Sequence, residues 1–129
     1  MPDIRLHIIG DKPFALGDMH IIPIRAMHHT MPVLGFRIND LSYLTDANAI
    51  ERTELDKMKG SRVIVINALR KERHLSHFNL GQAIEILDSL APQKAYITHI
   101  SHQMGLRKEL EGELPKNISL AYDGLRITC

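Results

Sequence analysis

Cysteine is almost missing from this chain: Cys129, the last of 129 residues, stands alone. A single thiol excludes a disulfide framework and any cysteine-built zinc motif, and a reducing cytoplasm is the expected compartment. An excess of one charge is missing too. Lys and Arg number 16 against 15 Asp and Glu, for a formal net charge of +1. That balance is not the footprint of a dedicated nucleic-acid binder. No apolar run is long enough to cross a bilayer, so no membrane role is expected. The opening M-P-D-I-R-L-H-I-I-G lacks the positive start and long apolar stretch of a secretory signal. Repeats, low-complexity tracts and linkers are absent as well. The length reads as one domain able to bury a core.

Histidine is what the chain has instead. There are eight, in the pairs His28/His29, His74/His77 and His99/His102, with His7 and His20 apart. Their meaning depends on where the elements fall. Ile4–Ile9 alternates like a strand and stops at Gly10-Asp11. Met19–Met27 reads as a second strand, and Pro23 within it predicts an edge position or a bulge, since proline cannot donate to a ladder. Val33–Ile38 and Leu41–Thr45 flank Asn39-Asp40, a two-residue hairpin turn. A short helix is predicted over Thr53–Lys59, ended by Gly60.

Arg62–Ala68, R-V-I-V-I-N-A, is a nearly continuous β-branched run, the mark of a strand covered on both faces. Asn79 and Gln82 form a capping signal; Leu80, Ala83, Ile84, Leu87 and Leu90 follow at helical spacing, with Pro92 beyond. Ala95–Thr98 is predicted as a strand and Gln103–Glu113 as a polar helix. Ile118–Tyr122 and Leu125–Thr128 flank Asp123-Gly124, a type I′ hairpin signal. Strands outnumber helices, and the two best helices alternate with buried strands. The fold class is therefore α/β, layered, with a mixed sheet.

Against that frame of elements, His29 follows a strand, Asp46 closes Y-L-T-D-A-N at another strand's end, His77 precedes the capped helix, and His99 follows A-Y-I-T. In layered sheets such positions face one common edge. Imidazole and carboxylate are also the metal ligands that remain when cysteine is absent.

Four segments, H-H-T-M-P-V-L-G-F-R-I, Y-L-T-D-A-N, H-F-N-L-G-Q-A-I-E-I-L and Y-I-T-H-I-S-H-Q, occur in the order found in metallo-β-lactamase-fold hydrolases. From about Phe14 to Cys129 the chain resembles the branch holding ribonuclease Z and the phosphoribosyl cyclic phosphodiesterases. A-Y-D-G-L-R-I resembles the closing hairpin of the latter. The resemblance implies that His29, six residues before Gly35, binds one metal, that Asp46 bridges two, and that His99 completes the second. It implies for His77 a non-ligand role at the scissile phosphate, as general acid or transition-state stabiliser. His74 and His102 are expected in the substrate pocket or behind the ligands. A one-residue bulge would exchange His29 for His28. The implied cofactor is Zn²⁺ or Mn²⁺, two ions in a complete site and one or none in this chain alone. The implied substrate is a small cyclic or nucleotide-like phosphodiester, with nucleic acid not favoured.

One departure matters. The family's first ligands come from an N-terminal H-x-H-x-D-H, and no such motif is present. The expectation is a single domain over residues 1–129 forming the C-terminal half of a four-layer αββα sandwich. Its bare sheet face would be covered by a complementary N-terminal half or by a second copy in a homo-oligomer. The rival expectation is a truncated, non-catalytic domain that associates through that face and holds at most one weakly bound metal. Arg70, Lys71 and Arg73 are placed either to steer a phosphate or simply to be solvated.

Overall fold

The computed structural model describes residues 2–129. Seven strands form one sheet in chain order: β1 Phe14–Leu16, β2 Met19–His28, β3 Met31–Ile38, β4 Leu41–Leu44, β5 Val63–Asn67, β6 Lys94–Thr98 and β7 Ile118–Leu120. The first four are antiparallel neighbours, and β4 through β7 pair in parallel. Helices α1 Arg52–Asp56, α2 Leu80–Leu90 and α3 Arg107–Glu113 occupy the crossovers.

The core lies on one face of this sheet. Ile24, Leu44, Ile64, Ile66, Ala95, Ile97, Ile118 and Leu120 point to it and meet Ala83 and Leu87 of α2, with Met58, Phe78, Met104 and Leu110 filling in around them. Burial of each large aliphatic side chain there contributes about 1.5–3 kcal/mol. Helix α2 is well specified. Asn79 Oδ1 accepts from the Gln82 N–H at 2.8 Å, and the Asn79 N–H donates to Gln82 Oε1 at 3.0 Å, a reciprocal cap. Ala91 ends it in the left-handed region, and Pro92 prevents its continuation. Gly35 is required by packing: a Cβ there would lie 2.7 Å from Leu44 Cδ1 and 2.8 Å from the Tyr43 carbonyl oxygen.

Pro23 does fall where no ladder bond is lost. Beyond β1 the outer edge of β2 is closed by the segment after β4. Lys57 Nζ donates to the Pro23 carbonyl at 3.2 Å, the Arg25 N–H donates to Glu54 Oε2 at 2.8 Å, and the Met27 N–H donates to the Ala49 carbonyl at 2.9 Å.

Three expected elements come out differently. Ile4–Ile9 is not a strand; Ile4, Leu6 and Ile8 are 75, 89 and 101% exposed, with no ladder to join, and the first strand is Phe14–Leu16. Alternation specifies a face but supplies no partner. The helix expected over Gln103–Glu113 is broken at Gly105, φ 105°, into a 3₁₀ turn His102–Met104 and α3. The closing hairpin does not form either. The turn is present, with the Leu125 N–H donated to the Tyr122 carbonyl at 3.0 Å, but Leu125–Thr128 does not return as a strand. Arg107 occupies that edge: its Nη2 reaches the Leu120 carbonyl at 3.4 Å and its guanidinium stacks 4.5 Å from the Tyr122 ring centre.

Candidate metal centre

The parallel register brings the donors level. Leu44 pairs with Ile66, and Ile66 with Ile97. Asp46 and His99 each stand two residues past a member of that row, at the carboxyl ends of β4 and β6. His77 enters from the loop before α2. One donor atom from each of Asp46, His77 and His99 lies within 4.8 Å of the others. His99 Nδ1 is 3.0 Å, and His77 Nε2 3.7 Å, from Asp46 Oδ1. The His77 and His99 rings stack at 4.7 Å and 14°, while His28 sets its ring edge-on to His77 at 4.7 Å and His74 lies 5.1 Å away.

His29 remains outside that group. It sits exposed in the turn between β2 and β3, and its N–H donates to Asn48 Oδ1 at 2.7 Å. The structure thus brings Asp46, His77 and His99 together, with His28 and His74 around His77, and leaves His29 at the rim. His102 is exposed on the 3₁₀ turn, and the ring contacts among the described residues do not include it.

The backbone marks the same residues. Among the described residues, five that are not glycine have positive φ: His29 at 58°, Asn39 at 49°, Asp46 at 55°, Ala91 at 47° and His99 at 57°. Asn39 makes a hairpin turn and Ala91 a helix cap, both ordinary uses of that region. His29 likewise opens a two-residue hairpin turn, between the paired His28 and Met31. Asp46 and His99, each just past a strand end, have no such turn to explain them, and residues held there cluster at functional sites.

Two asparagines hold these turns, and neither was singled out in the sequence. Asn67, fully buried at the end of β5, clamps the residue after Asp46: its Oδ1 accepts from the Ala47 N–H at 3.0 Å and its Nδ2 donates to the Ala47 carbonyl at 2.9 Å. Asn48 joins the His29 turn to the loop before His77, with Nδ2 donating to the Leu75 carbonyl at 3.0 Å. The one clue to Asn67 was a polar residue ending a run of β-branched ones. The basic loop is committed internally. Arg70 donates to Gln103 Oε1 and to the Arg73 carbonyl, each at 2.9 Å, and Lys71 pairs with Glu113 at 3.1 Å.

His77 is held less basic than an ordinary imidazole. Burial depresses its basicity first; His99, His28 and His74 depress it further, against a smaller opposing pull from Asp46. Asp46 Oδ1 is buried and has no hydrogen-bond partner among the described residues, although His99 Nδ1 stands 3.0 Å away. That contact is a pair of donor atoms facing one space without an N–H···O geometry. A buried carboxylate oxygen left without a hydrogen bond is costly. A divalent cation between it and the imidazoles would satisfy it, and carboxylate with imidazole suits Zn²⁺ or Mn²⁺. The residues present fit the metal.

Fold and candidate donor set together define an α/β protein of the metallo-β-lactamase kind. Residues 2–100 match the β-lactamase superfamily domain, and the chain belongs to that family. It is similar to a crystal structure described as a new diphosphatase from the PhnP family, at 29% identity and TM-score 0.93, covering 97% of this chain and 49% of that one. Human tRNase Z, short form, shares the fold at 14% identity and TM-score 0.71, over 89% of this chain and 44% of the other. An octanoyltransferase of Porphyromonas gingivalis is 35% identical over 116 residues, 89% of this chain but 24% of that protein. The chain therefore spans about half of the similar diphosphatase and a quarter of the curated relative.

Proposed function

We propose that this chain carries part of the site of a metal-dependent phosphodiester hydrolase acting on a small cyclic or nucleotide-like substrate. The observation that carries the reading is Asp46 Oδ1, buried without a hydrogen bond and facing nitrogens of His99 and His77. The diphosphatase and the tRNase among the similar structures both act on phosphate linkages, which supports the substrate class. Asp46 and His99 would hold Zn²⁺ or Mn²⁺, with His29, in the exposed β2–β3 turn, as the third ligand. His28 is the alternative, since its ring already lies against His77.

When bound, divalent cations polarise phosphate oxygens and make water a stronger nucleophile. The chain's own residues do the rest. Asp46 and His99 would hold the cation at the carboxyl edge of the sheet. His77, mostly buried and less basic than an ordinary imidazole, moves a proton at Nε2 beside the phosphate, and His74 supports it from behind.

The missing ligands are proposed to come from a complementary half bearing H-x-H-x-D-H. It would cover the face opposite the helices, where Met27, Leu34 and Tyr43 are 36, 39 and 42% exposed. A second copy is the other way to cover that face. A reducing cytoplasm suits the single terminal thiol.

The test is hydrolysis of bis(p-nitrophenyl) phosphate with Zn²⁺ or Mn²⁺, by the chain alone and with the complementary half of the similar diphosphatase. Turnover that rises with the added half and is lost in Asp46→Asn supports the reading. Metal binding with no turnover in either mixture supports the non-catalytic domain instead.

A further inference from the structure

Around His77 the hydrogen bonds leave few arrangements of protons. The Ser76 backbone N–H can only donate, and it points to His74 Nδ1 at 3.3 Å. His74 Nδ1 is therefore an acceptor, and a neutral His74 carries its proton on Nε2. His77 Nδ1 lies 3.2 Å from that same nitrogen. Two bare lone pairs at that distance repel, so one nitrogen must bear hydrogen, and His74 Nδ1 cannot. The Ser76 hydroxyl closes the triangle, 3.0 Å from His77 Nδ1 and 3.3 Å from His74 Nδ1. It can accept from the first and donate to the second. On the other side of the ring, a proton on Nε2 would meet Asp46 Oδ1 only at 3.7 Å, beyond hydrogen-bond reach.

We propose that Ser76 and His74 are positioning residues that lock His77 in one tautomer, with its proton on Nδ1 and a lone pair at Nε2 facing Asp46 and His99. The tautomer follows from the bonds the other nitrogen makes. The Ser76–His77 bond has ordinary length and the contacts to His74 are longer, so the lock rests on the three acting together. The His77 side chain is 12% exposed, so water competes little. The loop is also held still: Asn48 grips the Leu75 carbonyl and Arg70 the Arg73 carbonyl. The consequence for chemistry rests on the hydrolase reading. A neutral ring held this way accepts at Nε2, and any proton it gives to a departing oxygen is one that Nε2 first took up.

The experiment is a long-range ¹H–¹⁵N correlation spectrum of the ¹⁵N-labelled, metal-free chain, which distinguishes protonated from bare ring nitrogens. For His77 the expected result is a proton on Nδ1 and a bare Nε2. Ser76→Ala should convert that pattern to a mixture, and Ser76→Thr, which keeps the hydroxyl, should restore it. His74→Phe, which removes the acceptor, should act as Ser76→Ala does and serves if that variant fails to fold. A wild-type His77 protonated on Nε2 overturns the proposal, as does an unchanged tautomer in the variants. None of these readouts uses turnover, so failure of the hydrolase reading would leave them standing and be seen separately.

Discussion

At the scale of single residues, the site is built from strained positions. His29, Asp46 and His99 all hold φ between 55 and 58°. A side chain there costs about 1–2 kcal/mol relative to the ordinary helical region. Glycine removes that strain but loses about 0.5–1 kcal/mol in chain entropy. His29→Gly should therefore raise the unfolding free energy of the metal-free chain by about 0.5–1 kcal/mol, read by urea denaturation, while lowering affinity for Zn²⁺. A destabilised variant would mean that the turn is held for reasons of packing. His77→Ala should keep the metal and slow any turnover by about 10²–10⁴-fold, the usual contribution of a proton-transfer group. Loss of metal in that variant would make His77 a ligand. The sequence made Asp46 and His99 visible because a donor side chain at the end of an apolar run is conspicuous, whereas His77 stood out by its place before the capped helix and by the family resemblance. His29 could not be told from His28 in this way, since neighbouring residues in a turn trade faces. Asn48 and Asn67 escaped notice because their work is done through backbone atoms of residues far along the chain.

At the scale of elements, the reciprocal cap on α2 and the clamp on the edge of β2 are the local devices that hold the loops in place. Asn79→Ala should cost about 1 kcal/mol, measured by thermal unfolding, because the Gln82 N–H loses its acceptor. Glu54 carries the clamp. Burial works against its ionisation, but bonds from Lys57 and the Arg25 N–H, with the charges of both residues, outweigh that and hold its carboxyl below the usual value of 4.5. A carboxyl depressed in the fold adds stability above its unfolded value, and that stability is lost as pH falls through the folded one. Glu54→Gln should therefore flatten the fall in stability on acidification below about pH 4.5, followed by urea titration at several pH values. An unchanged acid profile would remove the clamp from the account.

Buried elements were the legible ones. The runs at β5 and β6, the α2 periodicity and the Asn39-Asp40 turn all agree with their surroundings in the fold. The edges were not legible. Ile4–Ile9 and Leu125–Thr128 carry strand patterns, yet pairing is decided by what lies beside a strand, and at the second of these the neighbour is Arg107. Gly105 was readable in principle, as a glycine inside a polar helix pattern.

For the whole molecule, the sheet separates its two faces. One is sealed by α2 and its neighbours. The other presents Met27, Leu34 and Tyr43 at the surface, while Val65 is closed between its paired neighbours Tyr43 and Tyr96. If that face meets a second half or a second copy, Leu34→Asp should shift the assembly toward monomer in light scattering with the helix content retained. A monomer in both proteins would exclude a second copy as the cover of that face. The α/β class and the family were both legible, because layering and donor placement follow from the order of elements.

The central claim is that the carboxyl edge of this sheet holds a divalent cation through Asp46 and His99. Equilibrium dialysis against Zn²⁺, with bound metal measured for the wild-type chain, Asp46→Asn and His99→Ala, tests it most directly. Bound Zn²⁺ in the wild type and at least about a tenfold weaker affinity in each variant is the expected result, the scale at which altering a metal site is normally felt. Equal metal content in all three proteins would contradict it.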